Sequence, residues 1–142
     1  PEDCISMPGV KLVVSDPGTK KAYQMEISED KARSLLGRKI GETVTGDPIG
    51  LKGYEIVITG GSDKDGFPMR SDMHGEGRKK ILLASGSGYR PKERGVRKRK
   101  MVRGNTVSRD ITQVNAKVTK TGEKTIEEII GSAGVQKKEE EK

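Results

Sequence analysis

The chain has 142 residues, 35% of them charged and 30% apolar, with one Phe and no Trp, which suits one domain with a small aliphatic core and charged tails. Its net charge of +7 is concentrated: from Arg70 to Arg103 twelve Lys or Arg stand against three Asp or Glu, leaving the rest of the chain at −2. A localised basic field attracts polyanions, a lone Cys4 with a lone His excludes both an internal disulfide and a Cys/His zinc site, and no apolar run nears the roughly 18 residues of a membrane span.

The opening "PEDCISMPG" is acidic and poor in apolar residues. It predicts a disordered N-terminal extension over residues 1–9, not a secretory signal, so the chain reads as cytosolic. "VKLVVSDPGTKKAYQMEI" predicts two strands, because Val10, Leu12 and Val14 alternate and so do Tyr23, Met25 and Ile27. Asp16-Pro17-Gly18 supplies the turn: Pro presets φ and Gly tolerates positive φ. Ser28 is placed to cap a short helix, "EDKARSLLG", with Gly37 as its stop. "GETVTGDPIGLKGYEIVITGG" repeats strand, turn and strand, and its β-branched "YEIVITG" suits a central strand. "RKKILLAS", "MVRGNTVS" and "ITQVNAKVTKTG" predict three more strands. Thr125 and Glu128 form a capping-box pattern before the short helix "IEEIIG". The tail 132–142 is charged and predicts disorder. The expected fold is mainly β: a small β-barrel of six or seven strands over residues 10–131, with one or two short helices and long basic loops. Closure into a barrel would remove exposed strand edges.

"YRPKERGVRKRKMVRG", within the basic segment 86–104, sets Arg90, Lys92, Arg94, Arg97, Lys98, Arg99, Lys100 and Arg103 against one acid, Glu93. A solvated charge tract is the plain alternative. Against it, ordered patterning resumes after the run, Arg binds phosphate bidentately, and Tyr89 offers a ring for a base. The run is expected to order only against RNA or DNA, with counterion release driving the binding. Arg70, Arg78, Lys79 and Lys80 extend the basic surface.

"GGSDKDGFPMRSDMHGEGRKK" predicts a long functional loop. Asp63, Asp65 and Gly66 lack the later ligands of a calcium loop. Phe67, Pro68 and Met69 suit an apolar anchor that pins this loop to the barrel. His74 has no nucleophile beside it, and Gly86-x-Gly88 lacks the rest of a dinucleotide or P-loop motif. No pairing of catalytic groups stands out, so the expectation is a non-enzyme without cofactor, metal or small-molecule substrate.

"GGSDKDGFPM", "HGEGRKKILLASG", the basic run and "VSRDITQVNAKVTKTGE", in that order, resemble the archaeal and eukaryotic small-subunit ribosomal protein family numbered six. The resemblance runs from about Val10 to Gly131. It implies a cytoplasmic, ribosome-bound structural protein that contacts ribosomal RNA and neighbouring ribosomal proteins. The family's motif carries over to Gly60, Gly61, Asp63, Lys64, Gly66, Phe67, Pro68 and Met69. Of these Lys64 is assigned to RNA and the others to shaping the loop. The basic block carries over to Tyr89, Arg90, Pro91, Arg97, Lys98, Arg99, Lys100, Arg103 and Gly104. The length resembles that of the archaeal members, so the regulatory role tied to the long basic helix and phosphorylated tail of the eukaryotic ones is not expected here. An RNA- or DNA-binding module acting outside the ribosome is the alternative.

Overall fold

The computed structural model describes residues 9–131. The expectations for Cys4, for the extension up to residue 8 and for the tail 132–142 lie outside the described residues.

Seven strands form, each within or overlapping a stretch where the sequence predicts one. They are β1 (Val10–Asp16), β2 (Lys21–Ile27), β3 (Thr43–Thr45), β4 (Glu55–Asp63), β5 (Arg78–Leu83), β6 (Lys98–Arg103) and β7 (Ile111–Lys120). Five of them make one sheet in the order β2-β1-β7-β4-β3. The first and last strands, β1 and β7, pair in parallel at its centre, and the other neighbours are antiparallel. Strands β5 and β6 pair only with each other, as a separate antiparallel ribbon.

Among the described residues the sheet does not close, so the expected barrel does not form there. Two of the seven strands are withdrawn into the ribbon, and β3 has only three residues, so β2 and β3 remain as unjoined edges. The fold is mainly β as expected.

The core lies on one face of the five-stranded sheet. Alternation places Leu12 and Val14 of β1, Ile56 and Ile58 of β4, and Val114, Ala116 and Val118 of β7 on that face. Leu35, Ile49, Leu51, Tyr54 and Ile126 close over it from the connections and the C-terminal helix. Each fully buried aliphatic side chain contributes roughly 1.5–3 kcal/mol of transfer free energy, so this cluster is what holds the domain together.

Two local expectations change. The helix after β2, α1, covers only Glu29–Ala32, and Ser28 stands at its cap without a side-chain bond. The chain continues in turns to Gly37, whose φ of +77° fits a stop. In the β1–β2 turn, Asp16 accepts hydrogen bonds from the Gly18 amide and the Thr19 hydroxyl at 2.8 and 3.0 Å. The positive φ there falls on Lys20, not on Gly18. The second helix, α2, occupies 126–131 directly after Thr125, where the capping-box pattern places it. No helix among the described residues is long and apolar enough to cross a membrane.

Candidate nucleic-acid interface

The motif "GGSDKDGFPM" is the joint between sheet and ribbon. Its first half is the end of β4, and the chain turns back at Asp63–Gly66, where Gly66 has φ +84°. The Gly66 amide donates to Asp63 O at 2.9 Å, and the Asp63 amide to Phe67 O at 3.0 Å. The returning arm then bonds both ways. Met69 N donates to Gly61 O at 3.0 Å, on the main sheet. Arg103 N donates to Pro68 O at 2.9 Å and Arg70 N to Arg103 O at 3.0 Å, on the ribbon. Gly61 is required by packing, because a Cβ there would stand 2.5 Å from Gln113 O and 3.0 Å from Met69 Sδ. Met69 is buried in the main core, so it provides the apolar anchor. Phe67 is half-buried and lies under the Arg78 guanidinium, 5.1 Å from ring centroid to Cζ, a cation–π contact.

Asp63 ties this joint electrostatically. Its side chain is fully buried. Arg103 Nη1 donates to its Oδ2 at 2.5 Å and Arg78 Nε to the same oxygen at 2.6 Å. The Lys64 amide donates to Oδ1 at 2.6 Å. Arg78 also bonds Asp65, and Arg103 reaches Glu76 O, Ser108 and Asp110. Burial pushes the Asp63 carboxyl up, but the bonds from Arg103 and Arg78, the Arg103 charge and the Lys64 amide together hold it below the ordinary aspartate value.

Arg78 and Arg103 are direct cross-strand partners in the ribbon. Such like charges repel unless an anion sits between them, and Asp63 is that anion. Arg103, assigned to RNA from the sequence, is 4% exposed, and its guanidinium is committed to internal acceptors. Arg78 keeps part of its surface but is held by Asp63 and Asp65. Arg70 is held by Asp72 and by Ser87 O, at 2.8–2.9 Å. Lys64 is mostly exposed and lies 3.6 Å from Asp110.

The other nine cations named from the sequence stand differently. Lys79, Lys80, Arg90, Lys92, Arg94, Arg97, Lys98, Arg99 and Lys100 make no ion pair among the described residues. All but the half-buried Lys100 are exposed. Four of them lie in the loop between β5 and β6, the others on the two strands. The basic run is thus not a free tract throughout, because Lys98–Arg103 is strand β6. Its charges are displayed on a paired ribbon whose inner side buries Leu83 and Val102.

Tyr89 is half-buried, and its amide donates to Gly86 O at 3.1 Å. Gly86 and Gly88, with φ of +108° and +95°, shape this turn. A Cβ on Gly88 would meet Pro68, Val102 and Leu83, so the turn sits directly on the ribbon's inner side. An open cavity of about 550 Å³ is lined by Gly86, Ser87, Gly88, Tyr89 and Arg90. A larger one of about 760 Å³ lies beside α2, where Lys52 and Lys124 balance Glu123 and Glu128. Among the described residues no cluster of His, Cys, Asp and Glu is placed to hold a metal ion.

Sequence reasoning missed Asp65, Asp110 and Glu76 as members of the network around Asp63. Their spacing carries no local signal; only the fold brings them together.

Fold and site define a small basic β-protein that displays cations on a ribbon and buries one acid, Asp63, as the strut beneath it. The family model for Ribosomal protein S6e matches residues 10–131, and the chain belongs to that family of structural, non-enzymatic ribosomal proteins. It is 47% identical to small ribosomal subunit protein eS6 of Methanocaldococcus jannaschii over 134 residues, 94% of this chain and all of that protein. It is 48% identical to the protein of that name from Methanoregula boonei, again over 134 residues and 94% of each chain. With that of Methanococcus maripaludis the identity is 51% over 112 residues, 79% of this chain and 88% of the relative.

Proposed function

We propose that the chain is a structural constituent of the small ribosomal subunit that binds ribosomal RNA through the β5–β6 ribbon and its loop. It acts in the cytoplasm as part of the ribosome, beside neighbouring ribosomal proteins. The observation that carries the RNA contact is the set of nine cations that make no ion pair among the described residues. Like charges held this close repel, and phosphates are their natural counter-charge. The family membership supports the ribosomal setting, and the names of the archaeal relatives support the small subunit. Tyr89 and Arg90 add a ring and a fork suited to an unstacked nucleotide. The Gly60–Met69 motif sets where the ribbon sits, and of its side chains Lys64 faces outward.

The test is binding to small-subunit ribosomal RNA, measured across salt concentrations beside an unrelated structured RNA of equal length. A steep salt slope with preference for the ribosomal RNA is expected. Charge reversal of Arg94, Arg97 and Lys98 together should weaken binding steeply and lower the slope by about 2–3, near one per lost phosphate contact. An unchanged slope in that variant would remove the ribbon from the interface.

A further inference from the structure

The ribbon displays more than charge. Leu82 is 55% exposed and Met101 39%. Both lie in paired strands, so register holds them at the surface and not a mobile loop. Lys80 stands directly opposite Met101, and Arg99 opposite Leu82. Cross-strand partners share a face, so these four side chains lie together, with Leu82 and Met101 as diagonal neighbours. Farther along the same face Arg78 and Arg103 turn into the Asp63 joint, so it is open only over these four residues, and the opposite face buries Leu83 and Val102 beside the exposed Lys98 and Lys79. Neither Lys80 nor Arg99 makes an ion pair among the described residues.

We propose that this outward face docks a segment of a neighbouring ribosomal protein, one that carries apolar side chains flanked by carboxylates. The inference rests on the ribosomal reading above and assigns this face of the ribbon to protein, leaving the loop and the remaining cations to RNA. Phosphates are matched by cations alone. Leu and Met offer no aromatic face to a base, and covering them with phosphate would desolvate the anion without replacing its water. An apolar side chain with Asp or Glu beside it satisfies all four residues at once: it covers Leu82 and Met101 and gives Lys80 and Arg99 their acids. A small apolar centre with a charged rim is the ordinary anatomy of a protein contact.

The experiment places a photoreactive benzophenone side chain at position 82 and works in purified small subunits. Co-sedimentation of the protein with the subunits comes first, because its failure sinks the ribosomal reading itself. Once the protein co-sediments, irradiation is expected to join position 82 to a protein peptide rich in apolar residues, Asp and Glu. A cross-link to RNA, or none, overturns the docking surface and leaves the ribosomal reading standing. A second variant, Leu82→Ser with Met101→Ser, tests the division of labour on the isolated protein. Both side chains are largely exposed, so the fold should survive. Its RNA affinity is expected to stay within about twofold at every salt concentration, since phosphate contacts drive that binding. A loss of about tenfold would put RNA on this face and defeat the proposal.

Discussion

Asp63 is an acid inside the most basic part of the fold, and its burial makes it structural. Removing one partner of a buried ion pair leaves the other charge uncompensated, which costs about 3–5 kcal/mol. Asp63→Asn is nearly isosteric but strands Arg103 with a neutral partner. It is expected to lower stability by about that amount in urea unfolding. The effect should also depend on pH. The groups facing Asp63 are Arg78 and Arg103, with Asp65 and Asp110 on their far sides. The folded-state pKa of Asp63 lies below its ordinary value. Its contribution is therefore whole above about pH 4, where the unfolded aspartate titrates, and is lost as pH falls through the depressed folded value. The stability gap between parent and Asp63→Asn should narrow as pH drops from about 5 toward 2. A gap of constant size would mean that the carboxylate's charge is not what holds the joint.

The ribbon is the element in which charge and position meet. Asp63→Asn raises net charge, so simple electrostatics predicts tighter RNA binding. If Asp63 instead fixes the angle of the ribbon to the main sheet, the same variant binds RNA more weakly at a pH and temperature where it remains folded. Direct titration decides between the two, and tighter binding would deny Asp63 a positioning role. The ribbon also shows what a sequence discloses and what it withholds. The alternation of β1, β2, β4 and β7 is plain in their residues because each has one face on the core. Strand β6 is harder to see, since within Lys98–Arg103 only Val102 and Arg103 are buried and the rest is three cations and the exposed Met101. The reading therefore places that strand too late, at Met101, and treats its first half as loop. α1 is shorter than its helix formers suggest because Leu35 is drawn into the core through turns. Which cation turns inward was not legible at all. Arg103 looks like its neighbours, and its partner Asp63 lies forty residues earlier in the chain. Register selects it, and register is a property of the fold. The same holds for the open sheet: strand number could be read, but the withdrawal of β5 and β6 from the main sheet could not.

Across the whole molecule, stability and binding are placed in different parts. The continuous core draws on the five-stranded sheet and its coverings, while Leu83 and Val102 of the ribbon are buried outside it. The ribbon is held to the sheet by the Gly60–Met69 joint, by Arg103 and by the extended segment after β6. There Val107 N donates to Arg38 O at 2.9 Å, and Ile40 N to Asn105 O at 3.0 Å. Elements with few buried apolar contacts open at lower free energy than the core. Native-state hydrogen exchange should therefore find the amides of β1, β4 and β7 protected up to the global unfolding free energy. Those of β5 and β6 should exchange through a smaller opening. Repulsion among the nine cations that have no ion-pair partner among the described residues favours that opening, so added salt should raise ribbon protection in the free protein while leaving the core amides unchanged. Binding of ribosomal RNA should do the same more strongly, because phosphates neutralise the charges in place and stabilise only the closed ribbon. If RNA protects core and ribbon amides equally, the two parts unfold as one unit and the ribbon is not a separately ordered element. Selective protection would mean that RNA completes a structure whose strands are already paired, and that the loop between them is the part still to be ordered.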